Sequence, residues 1–335
     1  MRAAVFDAPR AIRLTERDVP QPGADEALVR VGAAGLCAGD LYIFQGRNPY
    51  VTYPRVGGHE VAGVVEALGP GASGPALGTR VVVEPFIGCG ACYPCRIGRY
   101  NCCARLSIVG VHRDGGFADW LLAPSAKLHA IPAGLSMRAA SFTEPLAIGV
   151  QALRRAAVVA GETVVVLGCG PIGLAVIAAA RARGCVVWAA DPHPVRLATA
   201  VACGAEPVEA AAALARTRGE GVPVVVEATG VVAVMEQALG LVAAGGRVVV
   251  LGLAAADAVV RLPALDVTRR EMTVLGSRAS ADCFPEALAL LAGAAAHLPE
   301  IATEVALADA PAVFAQLDAD HGSMHKAVFM AEGVA

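Results

Sequence analysis

ETVVVLGCGPIGLAVIAAARARGCVVWAAD, residues 162–191, decides the fold. ETVVVLG (162–168) is an apolar, β-branched run ending in glycine and reads as a buried strand. GCGPIG then sets Gly168, Gly170 and Gly173 in G-x-G-x-x-G spacing at the mouth of PIGLAVIAAARARG (171–184), a helix closed by Gly184. CVVWAAD (185–191) is the next strand, and Asp191 ends it 18 residues after Gly173. In this order the glycines have distinct physical tasks. Gly168 permits the tight turn, Gly170 lets the backbone approach a pyrophosphate, and Gly173 lets helix and strand pack closely. The helix N-terminus, with Pro171 and Ile172 in its first turn, offers free N–H groups to phosphate. Asp191 would accept ribose hydroxyls and repel a 2′-phosphate, which favours NAD over NADP. Arg196 pulls the other way, since it could reach a 2′-phosphate.

The same pattern continues outward. HPVRLATAVACG (193–204) reads as a helix, and VPVVVEATG (222–230), GGRVVVLGL (245–253) and EMTVLGS (271–277) as further strands. Continuous apolar strands alternating with helices mean a doubly wound parallel sheet covered on both faces, so 147–279 is expected to be a Rossmann-type dinucleotide-binding domain. Residues 1–146 differ. Short β-branched runs, ALVRVGAAGL (27–36), HEVAGVVEAL (59–68) and TRVVVEPF (79–86), lie between Gly and Pro turn signals, as in a β-rich domain. The last stretch, 280–335, shows one helix (285–292) and one strand (325–330). It is too short to stand alone and is expected to fold back onto the first domain.

Composition excludes several classes. At 335 residues, roughly 100–200 per domain gives two domains. A chain 56% hydrophobic and 17% charged is not disordered. A net charge of −3 leaves no electrostatic footprint for nucleic acid. Residues 163–180 carry no charge, but Gly168, Gly170, Pro171 and Gly173 interrupt them, against a membrane span. The N-terminus lacks an apolar leader, so a cytoplasmic location is expected. There clustered cysteines point to metal before disulfide. GCGACYPCRIGRYNCC (88–103) spaces Cys89, Cys92, Cys95 and Cys103 as C-x2-C-x2-C-x7-C, a loop able to wrap one tetrahedral zinc in four thiolates. Cys102 is an alternative fourth ligand. All positions being filled by sulfur, that site would be structural. Cys37, His59, Glu60 and Glu144 form a more diffuse set. A thiol, an imidazole and a carboxylate suit an open, catalytic zinc site.

LCAGD (36–40), GGHEVAGVV (57–65), the cysteine loop, GVHRDGGFADW (110–120), EPLAIG (144–149) and GCGPIG together resemble the zinc-dependent medium-chain dehydrogenases over essentially the whole chain. EPLAIG resembles the polyol dehydrogenase branch. YIFQGRNPYVTYPRVGGHE (42–60) and LSIVGVHRDGGF (106–117) are similar to a bacterial sugar-acid group that includes L-galactonate and L-gulonate 5-dehydrogenases and RspB-like proteins. The resemblance implies a GroES-like β-barrel catalytic domain, residues 1–146 plus 280–335, and two zinc ions per subunit. It implies that Cys37 and His59 ligate the catalytic zinc, with either Glu60 or Glu144 as third ligand, and that Asp40 holds the His59 ring. Thr229 of the EATG segment, Leu251, Gly252 and Leu253, and Ser277 with Arg278 would line the nicotinamide side. A homodimer or homotetramer joined through the coenzyme domains would follow.

One departure stands out. The family usually carries Ser or Thr at the position of Gly39, which starts a proton relay; glycine carries no proton. Water, Glu144, His112 or a substrate hydroxyl would have to replace it. For a carboxylate substrate the candidate cations are Arg47, Arg113 and Arg278, with His112 as a further donor. The expected activity is NAD-linked oxidation of a secondary alcohol of a sugar acid or polyol. A neutral polyol, amino sugar or L-threonine-like substrate is the alternative, and a zinc- and NAD-binding regulator without turnover stands behind it.

Overall fold

A computed structural model describes residues 1–293, 295, 297–320 and 324–331. The chain divides into two compact units, one of Met1–Glu144, Phe284–Ala292 and Pro299–Ala335, the other of Pro145–Cys283 and Gly293–Leu298.

The first unit is built on a mostly antiparallel sheet whose strands run Leu128–Ala130, Arg80–Val83, Glu60–Leu68, Glu26–Gly35, Lys326–Met330 and Ala302–Ala306. Trp120–Pro124 also pairs with Glu26–Gly35. The long strand Glu26–Gly35 holds the unit together. It pairs with Glu60–Leu68 along one edge and, along the other, with Trp120–Pro124 near its start and Lys326–Met330 near its end. The C-terminal residues thus return to the first unit. They bring more structure than the one helix and one strand expected: a further strand, Ala302–Ala306, and a helix, Ala310–Ala319. That helix inserts Phe314 into an aromatic core, 5.1 Å and edge-on to Phe6 and 5.9 Å from Phe117. Each fully buried phenylalanine contributes about 1.5–3 kcal/mol, so the return of the chain is driven by burial.

Two short helices of this unit also lie where the sequence shows no helical period. Ala38–Phe44 follows the strand Glu26–Gly35, and Met137–Ser141 precedes the helix Thr143–Arg155. The first of them carries the zinc-ligand candidate Cys37 at its N-cap.

The second unit is a six-stranded, all-parallel sheet in the order Glu206–Pro207, Val186–Ala190, Thr163–Leu167, Val222–Glu227, Val242–Val250 and Thr273–Gly276. Val164, Val165 and Val166 at its centre are fully buried, as a sheet covered on both faces requires. Three helices absent from the sequence reading, Ala210–Arg216, Val232–Leu241 and Ala264–Arg269, complete this unit.

Candidate functional site

The second unit makes its site at the carboxyl end of the strand Thr163–Leu167. Gly168 takes φ +97°, the left-handed region that glycine enters without cost, and turns the chain sharply. Gly170 is the N-cap of the helix Pro171–Ala182, with Pro171 at the first helical position. A Cβ at Gly173 would overlap the Gly168 carbonyl, so helix and strand touch backbone to backbone. Asp191 is pinned: Oδ2 accepts from Cys169 N at 2.8 Å and Oδ1 from His193 N at 2.8 Å. Its carboxylate therefore joins the first two strand–helix turns and lines a cavity of about 700 Å³ with Gly168, Leu197, Thr229, Arg216 and Gln237. That volume suits a cofactor fragment.

Arg216 is a residue the sequence reading missed. Its guanidinium lies 5.2 Å from the Trp188 ring centroid and donates to Pro207 O at 3.0 Å, so it is held rigidly at the cavity edge. Arg196 sits half-buried on the helix Pro194–Ala202, near enough to Cys169 for its charge to act on that thiol. Burial, reinforced by Asp191, still pushes Cys169 up to about 12, so the thiol inside the glycine turn is inert.

The EATG segment is braced by Glu227, whose Oε1 accepts from Thr229 N at 2.6 Å, Thr229 Oγ1 at 2.5 Å and Gly230 N at 2.9 Å. Leu251 is nearly buried, Gly252 packs against the Gly230 backbone, and Leu253 is 81% exposed. Ser277 and Arg278 follow the strand Thr273–Gly276; the Ser277 amide donates to Val250 O at 3.0 Å, and Arg278 is exposed.

In the first unit Cys37, His59 and Glu60 come together, one ligand atom of each lying within 4.8 Å of the others. Local structure explains how. Cys37 caps the helix Ala38–Phe44 with its own sulfur, Sγ accepting from Gly39 N at 3.4 Å. Asp40 reaches back to Cys37 N at 2.9 Å and across to Gly58 N at 3.0 Å. Its carboxylate thus ties both ligand-bearing turns by their backbones, and it faces His59 Nδ1 at the ion-pair distance of 3.6 Å. Burial works against a charge on His59, but Asp40 and Cys37 outweigh it and hold the pKa well above the ordinary value. Glu60 lies at the start of the strand Glu60–Leu68 and is buried against Lys326, whose Nζ stands 2.5 Å from either carboxylate oxygen and donates to Oε1. Burial likewise opposes charge on Lys326, and Glu60 reverses that, keeping the ammonium protonated.

Glu144 is 3% exposed, in the first turn of the helix Thr143–Arg155. It stands outside the 4.8 Å group but within electrostatic reach of His59, Glu60 and Lys326. Burial, with Glu60 adding to it, pushes its carboxyl up to about 7. Glu144 Oε2 is buried without a hydrogen-bond partner, while His59 Nδ1 faces the Asp40 carboxylate and Glu60 Oε2 the Lys326 ammonium. An unpartnered buried carboxylate oxygen is costly unless something binds it, and the thiol–imidazole–carboxylate set beside it fits zinc. Lys326 is the neighbour that sequence reasoning missed; the available signal was that it is one of only two lysines against 25 arginines.

The four-cysteine loop also fits a metal. Sγ atoms of Cys89, Cys92, Cys95 and Cys103 lie within 4.8 Å of one another, and Cys92 is 3.5 Å from Cys95 and 3.6 Å from Cys103. Four sulfurs at ~2.3 Å from one tetrahedral ion would stand ~3.8 Å apart. Backbone N–H groups of Ala91 and Cys92, then Arg105, lower the Cys89 pKa to about 5. Cys103, not Cys102, completes the group; Cys102 is exposed.

The substrate candidates divide between the units. Arg47 stacks 4.7 Å over the Tyr42 ring and donates to Gln45. His112 Nδ1 accepts from Ile108 N at 3.1 Å, and its ring is 6.2 Å from that of Tyr50. Arg113 is bound to Glu26 in a short, partly buried ion pair, which removes it from the carboxylate candidates. Arg278 belongs to the second unit.

Comparison with known proteins follows this geometry. Residues 23–133 match the alcohol dehydrogenase GroES-like domain family, and residues 171–293 the zinc-binding dehydrogenase family. The chain is 37% identical to L-galactonate-5-dehydrogenase of Escherichia coli K12 over 287 residues, 83% of each chain. It is 37% identical to D-altritol 5-dehydrogenase of Agrobacterium fabrum over 280 residues, 82% of each. Among solved structures, a zinc-binding dehydrogenase of Sinorhizobium meliloti 1021 bound to NADP superposes with TM-score 0.91 at 31% identity, covering 98% of this chain and 99% of that one. The rspB product of Escherichia coli CFT073, complexed with NADH, gives 0.91 at 29% identity and 99% of each. No helix among the described residues is long and apolar enough to cross a membrane. On its glycine turn, its two thiol-bearing groups of potential metal ligands and these relatives, the chain belongs to the zinc-dependent medium-chain dehydrogenases.

Proposed function

We propose that the protein oxidises a secondary hydroxyl of a sugar acid or polyol with NAD. The observation that carries this is the group of Cys37, His59 and Glu60, one ligand atom of each within 4.8 Å of the others, with the unpartnered Glu144 Oε2 near it. Cys37, His59 and Glu60 would hold zinc, and the four-cysteine loop a second, structural ion. Zinc bound at the first site would act as a Lewis acid on the substrate hydroxyl. Asp40 keeps the Cys37 and His59 turns in register, and Lys326 fixes the orientation of Glu60. Glu144, with its pKa raised to about 7 and Oε2 unpartnered, is placed to take the hydroxyl proton where Gly39 offers no side chain.

Asp191 supports NAD over NADP, since it lines the cavity with an anionic carboxylate. Thr229, Leu251, Gly252, Leu253, Ser277 and Arg278 are assigned to the nicotinamide side, and Arg47, His112 and Arg278 to the substrate. Subunits would join through the second unit. Thr273–Gly276 is the edge strand of its sheet, paired on one side by Val242–Val250, and Val259, Leu262, Leu265 and Val274 expose apolar surface in the same unit. Ten free cysteines, five of them in the two candidate metal groups and four others buried, fit a reducing, cytoplasmic setting.

Cys37→Ala tests the assignment. It should abolish turnover and remove one zinc while the loop keeps its own; full activity in that variant would sink the catalytic-zinc reading. The engagement of Arg113 by Glu26 favours, as second reading, a neutral polyol. Turnover on polyols that is indifferent to Arg278→Ala would select it.

A further inference from the structure

Outside both metal groups the first unit holds a second buried cluster of titratable side chains. Glu84 follows the strand Arg80–Val83 and is 3% exposed. Its Oε1 accepts from Tyr100 Oη at 2.5 Å and from Lys127 Nζ at 2.7 Å; its Oε2 faces His129 Nε2 at 2.9 Å. Lys127 Nζ also lies 3.9 Å over the Tyr100 ring centroid, so the tyrosine is gripped at its hydroxyl and at its face. His129 in turn stacks on Phe284 at 5.2 Å. Burial disfavours charge on Glu84, but His129, Lys127 and Tyr100 outweigh it and lower the pKa. With both oxygens occupied, the cluster has no place for a ligand.

Its geometry points elsewhere. Tyr100 lies inside the cysteine loop, and its carbonyl accepts from Cys103 N at 2.9 Å. A Cβ at Gly88 would stand 2.7 Å from Tyr100 Cβ and 3.1 Å from Cys95 Sγ, so the start of the loop packs closely on both the base of that ring and one of the loop's sulfurs. The rest of the grip belongs to the main sheet of the first unit: Glu84 follows the strand Arg80–Val83, His129 lies on the strand Leu128–Ala130 paired with it, and Lys127 ends the turn just before that strand. We propose that Glu84, Tyr100, Lys127 and His129 form a latch that fastens the four-cysteine loop to the barrel and sets how slowly the loop gives up its metal. They are positioning residues, since none offers an atom to the ion.

This rests on the reading of the loop as a zinc site. The test follows metal release from the zinc-loaded, full-length enzyme to a chromogenic chelator, with cobalt exchanged into the loop so that its thiolate charge-transfer band identifies the ion leaving. Tyr100→Phe and Glu84→Gln should each speed loop-metal release about 10-fold, the worth of one hydrogen bond to a charged acceptor, while release from the Cys37 site stays at the wild-type rate. Tyr100→Phe removes only one oxygen and keeps the test open should Glu84→Gln not fold. Loop release unchanged in Tyr100→Phe overturns the latch, as does equal acceleration at both sites. A wild-type enzyme with metal only at the Cys37 site would instead overturn the reading of the loop.

Discussion

Replacing Lys326 with methionine isolates the buried ion pair behind the metal group. At 2.5 Å, with an effective dielectric near 20, the attraction between Lys326 and Glu60 is about 7 kcal/mol before solvation is counted. Removing both charges from water takes back much of that. Deleting one partner alone leaves the other charged and buried, at a cost of about 3–5 kcal/mol. The cost is aggravated here because Glu60 would remain close to Glu144, with no ammonium between them and the thiol of Cys37. Lys326→Met should therefore lower the unfolding free energy of chelator-treated protein by about 3–5 kcal/mol, and the melting midpoint by roughly 10 °C. Zinc held as proposed would supply a substitute cation at Glu60, so the loss in zinc-loaded protein should be distinctly smaller. Urea titrations with and without chelator measure both. A loss below about 1 kcal/mol in the chelated protein, the range of an exposed pair, would refute the argument. So would a larger loss with zinc bound.

Four further outcomes are expected. Glu144 titrates near 7 when folded against an ordinary 4.5, so metal-free protein holds an extra proton between about pH 4.5 and 7. The Glu144 contribution to stability should fall as pH rises through that window, and His59, also raised, extends the fall in the same direction to higher pH. Urea midpoints at pH 5.5 and 8.5 check this, with Glu144→Gln expected to flatten the slope; an equal slope in that variant would count against the assignment. Asp191→Ala should cut kcat/KM with NAD about 10–100-fold and affect NADP far less, by steady-state kinetics with both coenzymes. Gly173→Ala drives a methyl into the Gly168 carbonyl and should weaken NADH binding at least about 10-fold in a fluorescence titration. At Gly39 a Cβ would meet His59 Cε1 at 3.7 Å and Cys37 Sγ at 3.8 Å, so Gly39→Ser fits without strain. It should change the pH profile of kcat, and an unaltered profile would mean that Glu144 already does the work.

The second unit was legible because its chemistry is local. Gly168, Gly170, Gly173 and Asp191 lie within one strand–helix–strand run, and their spacing encodes backbone approach. The first unit was less so. Cysteine is a rare helix cap, and nothing around residue 37 announces the helix Ala38–Phe44 that Cys37 begins. The helix Ala310–Ala319 and the strand Ala302–Ala306 are short, alanine-rich segments stabilised by a core assembled from distant residues, Phe6 and Phe117 among them. Likewise Arg113 was read as available because its partner, Glu26, lies 87 positions away. Which glutamate stands nearer to Cys37 and His59 is a question of register between strands, and residue type alone left Glu60 and Glu144 open.

The two lysines are both held by carboxylates, Lys326 by Glu60 and Lys127 by Glu84, with side chains 2% and 21% exposed. The other 25 basic residues of the Lys and Arg class are arginines, whose guanidinium does not lose its proton and is a poor nucleophile. The outer face of this protein is therefore nearly free of reactive amines. Ketones and aldehydes, the products of the chemistry proposed for it, meet almost no side chain with which to condense into an imine.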